Sequence, residues 1–302
     1  MNDLGMHLAA LTAIDGVGNV TIFRLISALI KHEIGWNEFW VSNNTKLQLL
    51  RLNEKQISSI NSFKKEHTPY SYLEWLQLRG IRIVTYLDPE YPQLLLLGDN
   101  FPVVLFLKGA ILEFGNRPVV AVVGSRNMTE YGKCVTQTLV TQLVECGASI
   151  VSGFMYGIDC AAHQACLTAK GRTVGVLGYG FEHVYPVTQT KLLHQWLDQG
   201  MTFLSPFAPH VAPRRGNFPA RNRVVAGMSH AVVVVEAAEH SGSLITAGYA
   251  AQEGKAVCAV PGPITNPYTY GTRELLNQGA VLVANATDIL MEVESIYPEL
   301  RI

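Results

Sequence analysis

The sequence predicts an α/β protein: an extended, Rossmann-like, doubly wound and mostly parallel sheet, preceded by a small all-helical domain. Short runs of β-branched apolar residues recur from residue 117 onward, and amphipathic helical stretches separate them. Before residue 70, apolar side chains recur at helical spacing instead. Alternating strands and helices give right-handed crossovers, so we expect parallel strands with helices on both faces of the sheet.

Composition favours a soluble, cytoplasmic protein with a sizeable core. The chain has 302 residues, of which 48% are hydrophobic. Its apolar runs are far shorter than the ~20 residues that a membrane span requires, and its N-terminus lacks the basic segment of a signal peptide. The five cysteines form no CxxC pair and are typical of reduced thiols. Because the formal net charge is −1, affinity for nucleic acid must come from a local basic patch.

Three segments are predicted along the chain. Residues 1–70 form the helical domain, residues 71–116 a connector with the start of the α/β domain, and residues 117–302 the Rossmann-like domain. In the helical domain, the run LTAIDGVGNVTIFRL is typical of a helix-hairpin-helix turn, in which the amides of Gly16 and Gly18 face a phosphate. The alternative is an ordinary turn between helices, where glycine supplies a positive φ.

Seven strands are predicted in the Rossmann-like domain. Ligands of such sheets bind beyond the carboxyl ends of the strands, so the motifs at those ends carry the functional prediction. The strands are Pro118–Val123, Ala148–Val151, Thr173–Leu177, Met201–Leu204, Ala231–Val235, Ala256–Val260 and Ala280–Val283.

Gly124, Ser125 and Arg126 follow the first of these strands and precede a helix. Glycine and a small hydroxyl residue at a strand-to-helix turn leave backbone amides that bind an anion. Arg126 adds a guanidinium suited to phosphate. The alternative is that Gly124 and Ser125 only form the turn and that Arg126 is a solvated surface residue.

Ser152 and Gly153 follow the second strand, and Gly157 opens the next helix. Asp159 is predicted to cap this helix, and His163 lies one turn later on the same face. An acid and a histidine at this spacing also suit acid–base chemistry, but no nucleophile is identifiable nearby, so the capping role is favoured.

Several cofactor and metal sites are considered and not predicted. Gly178-Tyr179-Gly180 follows a strand, but a dinucleotide fingerprint requires a third glycine where His183 stands, which argues against NAD or FAD. Cys160, His163 and Cys166 are too few to make a zinc site without a second ligand cluster. We therefore expect no catalytic residue, no metal and no cofactor.

The segment PRRGNFPARNR at residues 213–223 is the most informative part of the sequence. It holds four arginines, and no acidic residue occurs between Asp198 and Glu236. An aromatic residue, Phe218, lies among the arginines without a strand or helix pattern to bury it. A basic groove with an exposed aromatic ring binds single strands, with phosphates on arginine and a base stacked on the ring. The alternative is that Phe218 fills the core while Asn222 and Arg223 cap the following helix.

A second turn with small hydroxyl residues, Ser241-Gly242-Ser243, begins a later helix and offers another anion site. Several such turns at one edge of the sheet, beside an arginine cluster, indicate a surface that holds successive phosphates. The predicted DNA-binding residues are Gly124, Ser125, Arg126, Ser152, Gly153, Gly157, Arg214, Arg215, Phe218, Arg221, Asn222, Arg223, Ser241, Gly242 and Ser243.

Several motifs in this order resemble one known family. The matching segments are VAVVGSR, IVSGFMYGID, FPARNRVVAGMSH, VVVVEA, SGSLITA and AVPG. Together they resemble DNA-processing protein A, also called DprA or Smf, over nearly the whole chain. The helical N-terminal part is similar to the sterile-alpha-motif-like domain of that family.

The resemblance implies a non-enzymatic role in natural transformation. Members of the family bind incoming single-stranded DNA, protect it and load the RecA recombinase, and they are typically homodimers. Carried over by position, Arg126, Arg215 and Phe218 would be the central DNA contacts. For the dimer, the sequence offers an apolar edge at Leu275-Leu276 and residues 281–283.

The chain departs from the family pattern in places. It has Gln189 where the family has asparagine after its Tyr-Pro motif, Ser205-Pro206 in place of a serine–glutamate pair, and Arg273 in place of an asparagine. It also ends before the C-terminal winged-helix domain that many members carry.

A different class of function is the alternative: a lysine-decarboxylase-like enzyme that cleaves nucleoside monophosphates. Such enzymes share phosphate-binding turns on a Rossmann-like sheet. They need a PGGxGT-like loop, which is interrupted here because Pro263 follows Pro261-Gly262. A nicotinamide-dependent oxidoreductase is disfavoured by His183.

Overall fold

The computed structural model describes residues 3–112 and 114–300. It begins with six helices, three of which have a side-chain cap at their start. Asn53 and Thr68 each form a capping box with the residue three positions later. The turn between the first two helices contains Gly16 at φ +80°. The helices are α1 (Asp3–Thr12), α2 (Asn19–Lys31), α3 (Trp36–Val41), α4 (Asn44–Leu49), α5 (Glu54–Glu66) and α6 (Pro69–Leu78).

A nine-stranded mixed sheet follows in the part of the chain described. Its strands are β1 (Arg82–Thr85), β2 (Val104–Lys108), β3 (Val119–Val123), β4 (Ser149–Ser152), β5 (Thr173–Val176), β6 (Thr202–Ser205), β7 (Ala231–Val234), β8 (Ala256–Ala259) and β9 (Val281–Leu282). The order is β1-β2-β6-β5-β4-β3-β7-β8-β9. Strands β3 to β9 are parallel, which confirms the doubly wound, Rossmann-like prediction.

Two strands lie in the segment predicted as a connector. β1 pairs with β2, and β2 pairs with β6, both antiparallel, so this segment extends the sheet at one edge. The prolines Pro89, Pro92 and Pro102 separate the two strands and obscure their pattern in the sequence.

Helices cover both faces of the sheet, and its strands are almost wholly buried. Seven helices alternate with the strands: α7 (Glu130–Glu145), α8 (Ile158–Thr168), α9 (Thr190–Asp198), α10 (Asn217–Gly227), α11 (Gly242–Gln252), α12 (Tyr270–Asn277) and α13 (Ala286–Ile296). No helix among residues 3–112 and 114–300 is both long and apolar enough to cross a bilayer.

Helix α10 rules out the alternative capping role in the arginine-rich segment. Phe218 lies in its first turn, and Asn222 and Arg223 lie inside it, so they cap no following helix. Pro219 is tolerated because the first amides of a helix have no partner within the helix.

The helical region and the sheet share one apolar cluster. Leu8 and Leu11 of α1 are fully buried with Ile83 of β1 and Phe106 of β2. The antiparallel edge of the sheet is therefore the side on which the six helices pack.

The strand order reverses at β3, whose neighbours are β4 on one side and β7 on the other. The chain leaves β3 toward β6 and later returns to β7. The connections after β3 and β7 diverge to opposite sides, which opens a crevice at their carboxyl ends, the usual ligand position in such sheets.

Candidate functional site

A cleft of about 630 Å³ lies at this reversal, and we call it the switch-point cleft. Its walls come from the segments after β3, β4 and β7, together with one face of α10 and the start of α11. Its lining residues are Val123, Gly124, Ser125, Arg126, Asn127, Gly153, Met155, Asp159, Phe218, Pro219, Arg221, Asn222, Val225, Ala238, Glu239, His240, Ser241, Gly242, Ser243, Ile245, Thr246 and Tyr268.

Phe218 and Arg126 meet in this cleft, although they lie far apart in the chain. The guanidinium carbon of Arg126 is 6.0 Å from the centre of the Phe218 ring, within the range of a cation–π contact. The ring of Tyr185 lies 5.7 Å away on a tilted plane. Gly178 allows the close fit, since a Cβ there would lie 3.0 Å from the ring. Arg126 is exposed and Phe218 half-buried, so both can contact a ligand.

A buried pair of opposite charges forms the floor of the cleft. Arg221 is 4% exposed and Asp159 is 8% exposed. The guanidinium donates a hydrogen bond of 2.6 Å to the carbonyl of Val176. A Cβ at Gly153 would overlap both charged groups, so only glycine fits above them. Arg221 therefore lies in the floor of the cleft and not on the open surface, and its predicted contact with DNA stays a prediction.

Asp159 and His163 do not form an acid–base pair. Burial raises the pKa of Asp159 to about 6, although Arg221 and Arg126 both lower it. Burial lowers the pKa of His163 to about 4. Both ring nitrogens of His163 are occupied, at 2.7 Å from Gly153 O and 2.7 Å from Thr173 Oγ1. Asp159 lies within the first turn of α8, and Gly157 is the N-cap, so the predicted capping role of Asp159 is also wrong.

The turn after β3 offers fewer free amides than the sequence suggested. The amide of Ser125 donates to the Glu236 carbonyl at 2.7 Å, and its hydroxyl accepts from the amide of Asn127 at 3.0 Å. At the start of α7, the amide and hydroxyl of Thr129 donate to the fully buried Glu236 carboxylate, at 2.8 and 2.6 Å. The protein thus supplies its own anion there, and the turn offers mainly the Arg126 guanidinium to a ligand.

The turn at the start of α11 is more open. Ser241 is its N-cap and accepts from the amide of Ser243 at 3.3 Å. The two hydroxyls are 2.8 Å apart, and Gly242 is exposed. Asn222 of α10 donates to the Gly242 carbonyl at 3.1 Å, which ties the two helices together at the cleft.

Five predicted residues lie outside the switch-point cleft. Ser152 is fully buried and donates to the Val122 carbonyl, so it cannot touch a ligand in this structure. Gly157, at φ +79°, packs beneath the turn after β3 and supports it. Arg214 and Arg215 are exposed just before α10. Arg223 lies against Tyr249 on the adjacent face of α10.

Other lining residues were not predicted. Asn127 and His240 are exposed at the rim, and Tyr268 is half-buried. Asn127 and His240 adjoin the predicted turns in the sequence, which was an available signal. Tyr268 had none, because its position depends on the backbone bond from Ala237 N to Tyr268 O.

The fold and cleft define a class of protein: a doubly wound α/β protein whose switch-point cleft holds an exposed arginine beside an aromatic ring. The model of the family described as DNA recombination-mediator protein A matches residues 82–294. The chain therefore belongs to that family, as its motifs indicated.

Relatives match most of the chain. A DNA processing protein DprA of Bacillus subtilis is 39% identical over 215 residues, covering 71% of this chain and 72% of that protein. A protein Smf of Synechocystis is 34% identical over 290 residues, covering 95% of this chain and 72% of that protein.

Two solved structures agree in fold. DprA of Streptococcus pneumoniae superposes with a TM-score of 0.78 at 28% identity, covering 97% of this chain and 98% of that chain. DprA of Helicobacter pylori gives a TM-score of 0.62 at 26% identity, covering 73% and 98%. The latter structure concerns a single-stranded DNA binding mode of that protein.

Proposed function

We propose that this protein binds single-stranded DNA in the switch-point cleft and acts without catalysing a reaction. The observation that carries the proposal is the contact between Arg126 and Phe218. An exposed guanidinium beside a half-buried ring offers one partner to a phosphate and one to a base.

The charges around the cleft support this ligand. Arg126 is exposed in the cleft and Arg214 and Arg215 are exposed just before α10, whereas Asp159 is buried near Arg221 and Glu239 is exposed in the lining. Three exposed arginines against one exposed carboxylate favour a polyanion. The relative from Helicobacter pylori is described as binding single-stranded DNA.

A titration with labelled single-stranded and double-stranded oligonucleotides at two ionic strengths tests the proposal. We expect preference for the single strand and loss of binding in Phe218→Ala and Arg126→Ala. Stacking on one ring contributes about 1–3 kcal/mol per base. Arg117→Ala is a matched control, because Arg117 is exposed at the opposite end of β3. Wild-type affinity in both cleft variants would contradict the proposal.

The non-enzymatic role is tested against the nucleotide-cleaving alternative. Incubation with AMP should release no adenine. If the wild type releases adenine and Phe218→Ala does not, the cleft hydrolyses nucleotides and the non-enzymatic role is wrong.

We extend the proposal to the steps that the family resemblance implies: a cytoplasmic protein that protects incoming DNA and loads the RecA recombinase during natural transformation. RecA should hydrolyse ATP faster on strands coated with a single-strand binding protein when this chain is added. If RecA hydrolyses ATP no faster, the loading role is wrong, and the proposal that the protein binds DNA is unaffected.

A homodimer is also proposed. β9 lies at one edge of the sheet, with Leu282 54% exposed, whereas Val283 is buried and unavailable for pairing. Sedimentation at micromolar concentration should give twice the monomer mass, and a monomer would refute the dimer.

A further inference from the structure

A second cleft, of about 400 Å³, lies beside the first, and we call it the α10–α11 cleft. Pro219 lines both clefts. On α10, Phe218 and Asn222 face the switch-point cleft, while Arg223 faces the α10–α11 cleft, because residues four apart share a helix face and their neighbours do not. The two clefts therefore adjoin at Pro219, and we refer to them together as the groove.

Helix α11 continues along the same groove. Ser243 at its start lines the switch-point cleft, and Tyr249, six residues later, lines the α10–α11 cleft. At 1.5 Å per residue the two positions are about 9 Å apart along the helix axis. Stacked nucleotides spaced 3.4 Å apart cover about this distance in three steps.

The α10–α11 cleft contains a second arginine–aromatic pair. The guanidinium carbon of Arg223 is 4.7 Å from the centre of the Tyr249 ring. Both residues are half-buried, and Phe207 and Pro206 add apolar surface to the cleft. This pair repeats the combination of cation and ring that Arg126 and Phe218 form in the first cleft.

The one carboxylate in the lining does not oppose an anionic ligand. Glu253 lies 3.0 Å from the fully buried ammonium of Lys255, which compensates its charge. Since Glu253 is paired with Lys255, the positive charge of the Arg223 guanidinium has no unpaired opposite charge among the described residues of the lining. Arg215 is exposed and adjoins Gly216, which is part of the cleft. Positive charge at the mouth and in the wall favours a nucleic acid over a neutral peptide.

We propose that the α10–α11 cleft is a second nucleobase subsite, which takes another base of the strand whose first base lies on Phe218. The proposal rests on the proposed function. The base stacks on the exposed part of the Arg223–Tyr249 pair, and the strand between the two bases passes over Pro219.

The test measures affinity for a series of single-stranded oligonucleotides, from dinucleotides up to ~16 nucleotides, by fluorescence anisotropy. Tyr249→Leu keeps apolar volume but removes the ring, and Arg223→Gln removes the charge. Tyr70→Leu and Arg117→Gln are matched controls at exposed positions away from the groove. Thermal unfolding of each variant establishes that it is folded.

We expect Tyr249→Leu to lower affinity for the longer oligonucleotides by about 5-fold to 150-fold. Affinity for the shortest, which fill only the switch-point cleft, should stay at the wild-type value. Arg223→Gln should follow the same length dependence, and the control variants should bind all lengths as the wild type does.

Two results would overturn the second subsite. One is wild-type affinity of Tyr249→Leu and Arg223→Gln at every length while Phe218→Ala fails to bind. The other is an equal loss at all lengths, which would indicate that Tyr249 only supports the fold. By contrast, wild-type binding in Phe218→Ala would show that the proposed function itself is wrong.

Discussion

Replacing Arg221 with methionine tests whether the charge of this buried guanidinium, near Asp159, stabilises the floor of the switch-point cleft. Methionine keeps much of the apolar stem of arginine but removes the charge and the 2.6 Å hydrogen bond to the Val176 carbonyl. Burial raises the pKa of Asp159 to about 6, and Arg221 is the largest of the influences that lower it. In the variant, the pKa of this carboxyl should therefore rise further.

The expected loss of stability depends on pH. At pH 8 the variant must bury the Asp159 carboxylate without its partner or protonate it, and an unpaired buried charge costs about 3–5 kcal/mol. At pH 5 Asp159 is mostly protonated in both proteins, so the loss is that of one charged hydrogen bond, roughly 1.5–3 kcal/mol.

The direction in which folding stability changes with pH follows from proton linkage. The folded pKa of Asp159, about 6, lies above its ordinary value of 3.8. The folded state therefore binds this proton more tightly than the unfolded state. The stability that the proton provides is fully present below about pH 4 and is lost as the pH rises through 6. In Arg221→Met, folding stability continues to fall at higher pH, because the pKa of Asp159 in the folded variant is higher than in the wild type.

Urea unfolding of the wild type and Arg221→Met at pH 5 and pH 8 measures this difference. The double variant Arg221→Met with Asp159→Asn is the control, because it removes both charges and keeps a similar shape. It should recover part of the loss at pH 8. An equal loss at both pH values, without recovery in the double variant, would refute the charge interaction with Asp159 and leave Arg221 a packing role.

Three further predictions concern the turns of the switch-point cleft. Gly157→Ala should lower both the melting temperature and single-strand affinity, because a Cβ there would overlap the backbone of the turn after β3. Gly200→Ala has a similar φ of +86° in open space and controls for strain alone, so equal effects would exclude the overlap. Glu236→Gln should cost roughly 1.5–3 kcal/mol in urea unfolding, because the carboxylate accepts two hydrogen bonds from Thr129; full stability would show that α7 does not need this anion. In a salt titration, Arg126→Gln should reduce the slope of log affinity against log salt by about 0.7, and an unchanged slope would show that its guanidinium touches no phosphate.

Much of the fold was predictable from local pattern. Continuous apolar runs marked the seven parallel strands, because strands covered on both faces need apolar side chains at successive positions. β1 and β2 were not recognised, since short edge strands separated by prolines have no comparable run. Helix α10 was missed because Pro219 and Gly216 weaken the helical signal around its first turn.

The residue types of the site were also predictable, but their individual roles were not. Arg214, Arg215 and Arg221 look alike in the sequence, yet two are exposed and one is buried. Arg221 is inside because α10 places it over Gly153 and Asp159, which belong to a different crossover. Such a pairing depends on strand order, which local periodicity does not encode.

The sequence by itself determined the parallel sheet, the edge at which the switch-point cleft lies, and the arginine and aromatic types at that edge. The tertiary structure alone decided that Arg126 meets Phe218, that Glu236 occupies the start of α7, and that Arg223 belongs to a second cleft. The physical reason is the distance in sequence over which each feature is determined. Strand and helix periods depend on neighbouring residues. Whether a charge finds a partner or a ligand depends on segments that only the folded sheet brings together.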